Sequence, residues 1–355
     1  MSTAETASQE QKRKQSLSEL FNSFAADTAQ RFPELKGRLL IMDMNEFVVY
    51  GIKDIDTKAT GLTKEAALDY MAQHYVTEEM EDDKNISSCF VHDKYRHLET
   101  FFINDRINRS ELNDVTPEAE AFILYGLDHE LAHCALKDGI SETNSLHGAL
   151  VAETIADAYA LIRHYQRFGV ESTYHDKSTD PYARISQLIF QGSKTHFTAF
   201  VLDEIIKRRH QIDFDSLTPQ QTATLARRFA LEYMPSEPMI RELHQIFKPV
   251  RTAPKPRAEE GVKALIGITL DPKSDYHTFK LGSLWLDRFL ETRTLPNGKT
   301  ITLPEKYLDD VSKKLKEREL KFAKEDILFN MPTIPPKPKA VTGRQMHPHK
   351  FTICK

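Results

Sequence analysis

The sequence predicts a mostly helical α+β fold, and three patterns predict it. Two long segments, 116–136 and 144–169, carry apolar residues at helical spacing between recognisable start and stop signals. Two shorter segments, 37–52 and 87–105, are rich in β-branched and aromatic residues and read as strands. A smaller C-terminal α+β region combines one apolar stretch, one Asn-Gly turn and one long charged helix.

In chain order, residues 1–17 are polar with no apolar run, which predicts a disordered arm without a secretory leader and a cytoplasmic location. Leu17, Leu20, Phe21 and Phe24 then share one side of a docking helix. Gly37 to Ile52 reads as one or two strands or as another buried element, with helix and strand both open, and Thr63 is placed to cap a helix running past Tyr75, with His74 on its surface. Ser87 to Asp105 alternates as strands do and carries His92 and His97. The next helix opens with Thr116 as cap, Pro117 at its first position, and Glu118 and Glu120 favourable to its dipole. Phe122, Leu124, Leu131 and Leu136 are its burying side chains, and Asp138 and Gly139 mark its end. A second helix begins at Asn144 or Ser145 and stops at Gly169.

Beyond Gly169, a loop-like cluster carries Tyr174, His175 and Tyr182, and helices are expected at 184–209 and 218–234. The latter opens with Thr218, Pro219 and Gln221 in capping-box form. The proline-bearing, charged stretch 251–261 is the predicted domain boundary. After it, 262–270 reads as a strand, Asn297 and Gly298 as a hairpin turn, and 303–327 as a charged helix. The expected organisation is a disordered 1–17, a main domain 18–250, a linker 251–261, a small region 262–330 and a flexible proline-rich basic tail 331–355.

Composition narrows the function classes. The 355 residues include 48 basic and 52 acidic side chains, a formal net charge of −4, so no whole-chain field favours nucleic acid or an anionic membrane. The basic residues of 313–321 are interleaved with acidic ones, as on a solvated helix face. Three cysteines, Cys89, Cys134 and Cys354, are odd in number and widely spaced, which argues against a disulfide framework and makes Cys134 a buried small hydrophobe.

The chemistry concentrates in DHELAHCALKDGISETNSLHGALVAETIADAYA, Asp128 to Ala160. His129 and His133 are four residues apart, so on a helix both imidazoles leave the same face and can grip one ion. Glu130 beside them is a candidate base for a water that the ion has acidified. A catalytic zinc normally takes three protein ligands and keeps one position open, so a third ligand is required. Glu153 is the first candidate and His147 the second. Asp157, one turn after Glu153, suits a partner for the free ring N–H of a ligand histidine. A hydrolytic site also needs a donor for a developing oxyanion, for which His175, Tyr174, Tyr182 and His196 are candidates.

HELAH followed by the ExxxD of Glu153 and Asp157 resembles the thermolysin-type zinc metallopeptidases, the gluzincins, including the interval between second histidine and glutamate. The likeness covers about thirty residues. It departs at Ala152, where that pattern has asparagine, and at Asn144, where its active-site tyrosine falls by spacing. Leu136 and Gly139 exclude the metzincin form of the motif. The resemblance implies a zincin-like catalytic domain and a single Zn2+ held by His129, His133 and Glu153. It further implies Glu130 as general base, Asp157 behind a ligand, and a peptide or protein substrate. Two other readings share these residues: a zincin scaffold kept as a binding or regulatory module, with partner contacts through the C-terminal region, and hydrolysis of a non-peptide amide.

Overall fold

A computed structural model describes residues 17–35, strands at 39–43, 48–50, 86–91 and 99–103, residues 63, 65–66 and 69, and then 116–136, 145–173, 181–253, 258–295 and 298–326. The fold is mostly helical. Two compact units divide the chain, Met1–Pro304 and Glu305–Lys355.

The first unit begins with helix α1, Leu17–Arg31, whose Leu20, Phe21 and Phe24 are buried as their spacing predicts. Strands β1 (Leu39–Asp43), β2 (Val48–Tyr50), β3 (Ile86–Val91) and β4 (Glu99–Ile103) form one sheet in the order β2-β1-β4-β3. The pairs β1–β2 and β3–β4 are antiparallel, and β1–β4 is parallel. Thr63 accepts a bond at 3.2 Å from the Ala66 N–H, the expected cap, with Glu65, Ala66 and Asp69 helical. His74, His92, His97, Tyr174, His175, the arm before Leu17 and the proline-rich tail lie outside the described residues.

Helix α2, Pro117–Ala135, starts where the sequence predicts: the Thr116 hydroxyl accepts from the Ala119 N–H and Pro117 fills the first position. Helix α3, Leu146–Phe168, is capped by Ser145 and stops at Gly169, whose φ of 80° suits glycine. The two helices pack along each other, and α2 also contacts β3 and β4. Their shared core includes Leu127, Leu131, Leu150, Val151 and Tyr159, each fully or almost fully buried. Cys134 is buried too, but it is disulfide-bonded, a pairing that the odd cysteine count argued against.

Charge ties α1 to both helices. Asp128 of α2 is fully buried and meets Arg31 of α1 at 3.5 Å, Arg163 of α3 at 4.0 Å, and both terminal nitrogens of Arg167. Asp27 of α1 in turn accepts from Arg31 at 2.9 Å and Arg163 at 3.1 Å, and Arg31 donates to the Tyr159 hydroxyl.

The single helix expected over 184–209 is instead broken. It comprises α4 (Pro181–Ser186), a wide π turn (Gln187–Gln191), an irregular stretch, and α5 (Ala199–Arg208). Gly192 ends the turn at φ 80°, and Arg251 donates to the Leu188 carbonyl at 3.2 Å, satisfying a carbonyl of the widened turn. Helix α6, Pro219–Tyr233, carries the full capping box of Thr218 and Gln221. Helices α7 (Glu237–Ile246), α8 (Lys248–Arg251), α9 (Ala258–Leu270) and α10 (Tyr276–Thr292) follow.

Helix α9 corrects the strand expected at 262–270. Val262, Leu265, Ile266 and Thr269 are buried at helical intervals, a period that outweighs the β-branched composition. It packs on α8 and α10 inside the first unit, so the chain continues through 251–261 and the units part at Pro304 instead. A Cβ on Gly282 of α10 would stand 1.9 Å from the Thr269 hydroxyl oxygen, so only glycine permits this close approach. The chain does reverse at Gly298, with Leu295 donating to Lys299 and Ile301 to Arg293, yet among the described residues the arms form only the isolated bridge Thr294–Thr300, and Asn297 lies outside those residues. The C-terminal region therefore has no strand among the described residues and is helical where it was expected to be α+β. The second unit contains the charged helix α11, Glu305–Asp326, with a buried stripe of Leu308, Val311, Leu315 and Phe322.

Candidate metal centre

Helix α2 delivers His129 and His133 to one face, and α3 brings Glu153 against them. His129 Nε2 lies 3.1 Å from His133 Nε2 and 3.3 Å from Glu153 Oε2, and His133 Nε2 lies 3.7 Å from Glu153 Oε1. Tetrahedral ligands about 2.0–2.1 Å from zinc stand about 3.3 Å apart. The two separations that share His129 Nε2 match that spacing, the third runs to the other carboxylate oxygen, and two imidazoles with one carboxylate suit zinc chemically. Among the described residues these three form the group able to hold a metal ion, with all donor atoms within 4.8 Å of one another.

The side chains of His129, His133 and Glu153 are 13, 22 and 18% exposed. That is enough burial to strengthen charge interactions, and enough opening for water to reach the triangle. Glu130 is itself buried on the same helix, next to His129.

Asp157 is fully buried one turn beyond Glu153 and receives the His129 Nδ1 at 2.8 Å. With the proton on Nδ1 donated to that carboxylate, Nε2 is the nitrogen free to face a cation. Arg184 of α4 also donates to Asp157 at 2.6 Å, and the Thr198 hydroxyl donates to its other oxygen. The backbone oxygen of Asp157 accepts from Tyr125 at 3.2 Å.

The electrostatics favour positive charge at the triangle. Burial pushes the His129 imidazolium down, but hydrogen bonds to Asp157 and Glu153 outweigh it and raise the group to about 10. Burial and the neighbouring His129 charge take His133 down to about 4. Burial raises the Glu153 carboxyl, yet its bond to His129 and the charges of both histidines bring it to about 2. Burial likewise opposes the Asp157 carboxylate, and Arg184 and His129 together hold it well below the usual range. The opposite shifts of the two histidines place the positive charge on His129, between the carboxylates of Glu153 and Asp157.

His196 is the oxyanion candidate that the fold brings to this centre, with Nε2 3.6 Å from Glu153 Oε2. Its Nδ1 lies 3.2 Å from the Ser193 hydroxyl and 3.1 Å from that of Thr195. Hydroxyls donating to Nδ1 would leave Nε2 carrying the proton toward the site. Tyr182 is held elsewhere: its hydroxyl donates to the Thr294 carbonyl at 2.7 Å and its ring stacks on Trp285. His147 is exposed on the first turn of α3 and lies outside the donor group. Sequence reading missed Arg184 and Thr198, which reach Asp157 from 27 and 41 residues away. The one local signal was an arginine set among the apolar residues of YARISQLIF.

No protein-family model, curated protein or solved structure matches the chain. No helix among the described residues is long and apolar enough to cross a membrane.

Proposed function

We propose that this protein is a zinc-dependent hydrolase of peptide bonds built on a zincin-like α+β scaffold, with one ion held by His129, His133 and Glu153. The observation that carries the reading is the convergence of His129, His133 and Glu153, with His129 Nε2 3.1 Å from His133 Nε2 and 3.3 Å from Glu153 Oε2, and Asp157 behind His129. Zinc held by these three residues would supply Lewis acidity that acidifies water at the site. Glu130 would accept the proton of the attacking water and return it to the departing amine. His196 donates from Nε2 to the oxygen on which negative charge develops. Asp157 keeps its hydrogen bond to His129 Nδ1 throughout and stabilises the ligand's orientation.

A peptide substrate is supported by the sheet. Among the described residues β3 is at the edge of the sheet and lies against α2, so an extended peptide can add to it by main-chain pairing.

The test compares wild type with Glu130→Gln for zinc content and for cleavage of an unstructured protein such as casein. Near-stoichiometric zinc in both, with cleavage lowered about 10²–10⁴-fold in the variant, supports hydrolysis. Equal cleavage by both proteins would refute the role of Glu130. Zinc in both without any cleavage, by peptide or simple amide screens, would leave the binding or regulatory module as the reading.

A further inference from the structure

Asp157 is held more firmly than a partner for one histidine requires. Its carboxylate has no solvent exposure and receives three side-chain donors from three separate elements: His129 of α2, Arg184 of α4 and Thr198 at the start of α5. Arg184 Nη2 and His129 Nδ1 approach the same oxygen, Oδ1, at 2.6 and 2.8 Å, while Thr198 takes Oδ2. Both oxygens are thereby fixed in direction, and rotation of the carboxylate would break a charge-assisted bond.

The guanidinium of Arg184 is itself unusually placed. Its side chain is 9% exposed, its Nε has no hydrogen-bond partner, and its other contact is a 3.2 Å bond to the Gln187 amide oxygen. Burying such a cation costs several kcal/mol, so its position is bound to Asp157. The charge count gives it a purpose beyond packing. Asp157 and Glu153 place two carboxylates within one helical turn of each other, and either could turn toward a cation. Arg184 neutralises the inner one and holds it behind the imidazole, leaving Glu153 alone to face the triangle.

We propose that Arg184, assisted by Thr198, is a positioning residue of the metal centre: it locks Asp157 so that the carboxylate selects the Nδ1–H form of His129 and directs Nε2 to the ion. This rests on the zinc reading above. It adds that metal affinity depends on a side chain touching no ligand, delivered by the broken 181–198 segment that also carries His196. Among the described residues, the break in the expected 184–209 helix is thus what lets one segment reach Asp157 twice, from Arg184 before the π turn and from Thr198 after it.

The experiment is a double-mutant cycle on the full chain, reading zinc affinity by competition with a chromophoric chelator and ligand geometry by the visible spectrum of the cobalt(II)-substituted protein. Arg184→Gln should weaken zinc about 10–100-fold and shift the cobalt bands, the range typical of groups behind a ligand. In an Asp157→Asn background the same change should cost less than about threefold, because the group through which it acts is gone. Arg184→Lys should recover part of the affinity by keeping the charge. If Arg184→Gln does not fold, Thr198→Val, which buries no charge, carries the test with an expected loss of about fivefold and the same dependence on Asp157. Undiminished affinity with unshifted cobalt bands, or an equal loss in the Asp157→Asn background, overturns the positioning role while leaving the zinc site standing. A wild type that binds no zinc overturns both.

Discussion

Replacing Asp128 by asparagine should destabilise the protein far more than its exposure-matched neighbours would. Asp128 is fully buried and faces Arg31, Arg163 and Arg167, whose side chains are only 7, 12 and 18% exposed. Asparagine keeps the shape and one acceptor but removes the charge, leaving three guanidinium groups opposed by Asp27 alone, which is 39% exposed. Breaking a buried ion pair from one side costs about 3–5 kcal/mol. For a unit of this size each kcal/mol lowers Tm by about 2 °C, so a drop of about 6–10 °C is expected by circular dichroism. Asp27→Asn, a partly exposed carboxylate, provides the internal control at about 1 kcal/mol or less. Zinc affinity should fall as well, because Asp128 and His129 are consecutive on α2 and the same grip holds both. A drop below about 2 °C, or one equal to that of Asp27→Asn, would refute the reading of Asp128 as the anchor of this network.

Zinc uptake should strengthen as pH rises. The ion takes the place of the His129 proton at Nε2, so affinity is expected to climb about tenfold per pH unit between pH 6 and 8 in chelator competition, and a flat profile would contradict this. In metal-free protein His129 is raised from 6.5 to about 10, so its contribution to stability is complete below pH 6.5 and lost as pH rises through 10. Glu153 is lowered from 4.5 to about 2, so its share is complete above 4.5 and lost as pH falls through 2. Gly282→Ala should cost about 1–3 kcal/mol in urea unfolding, since the new Cβ would meet Thr269 Oγ1 at 1.9 Å. Thr269→Ala should recover part of that loss, and an unperturbed Gly282→Ala protein would refute the close approach of α9 and α10.

The centre was legible where it is local. His129, His133, Glu153 and Asp157 lie on two helices whose caps, Thr116 and Ser145, are written beside them. Their convergence requires only that neighbouring helices pack. Arg184, Thr198 and His196 were less legible because they depend on a break that propensity does not announce: SQLIFQ is a good helical run, and the π turn within it is secured by Arg251 from far along the chain. The 262–270 strand reading failed for the opposite reason. Its β-branched residues weighed more than the i, i+3, i+4, i+7 burial of Val262, Leu265, Ile266 and Thr269, a pattern present in the sequence itself. Tyr182 satisfied every sequence criterion for an oxyanion donor, and only the stacking on Trp285 shows it to be part of the core.

Helix α2 is gripped on two faces by opposite charge. Asp128 and His129 are consecutive, so their side chains leave the helix about 100° apart. Asp128 enters a cluster of arginines anchored on α1 and α3, whereas His129 turns between the carboxylates of Glu153 and Asp157. Neither set alone would fix the helix. A rotation that relaxed Asp128 from its arginines would pull His129 off Asp157, and a slide that opened the donor triangle would strip Asp128 of its partners. A metal centre needs its ligands held within about 0.5 Å, and packing by Leu127 and Leu131 alone permits small rotations that paired charges on two faces do not. Helix α1, far from the centre in sequence, is therefore part of what sets the triangle's dimensions, through Arg31 on Asp128 and Tyr159.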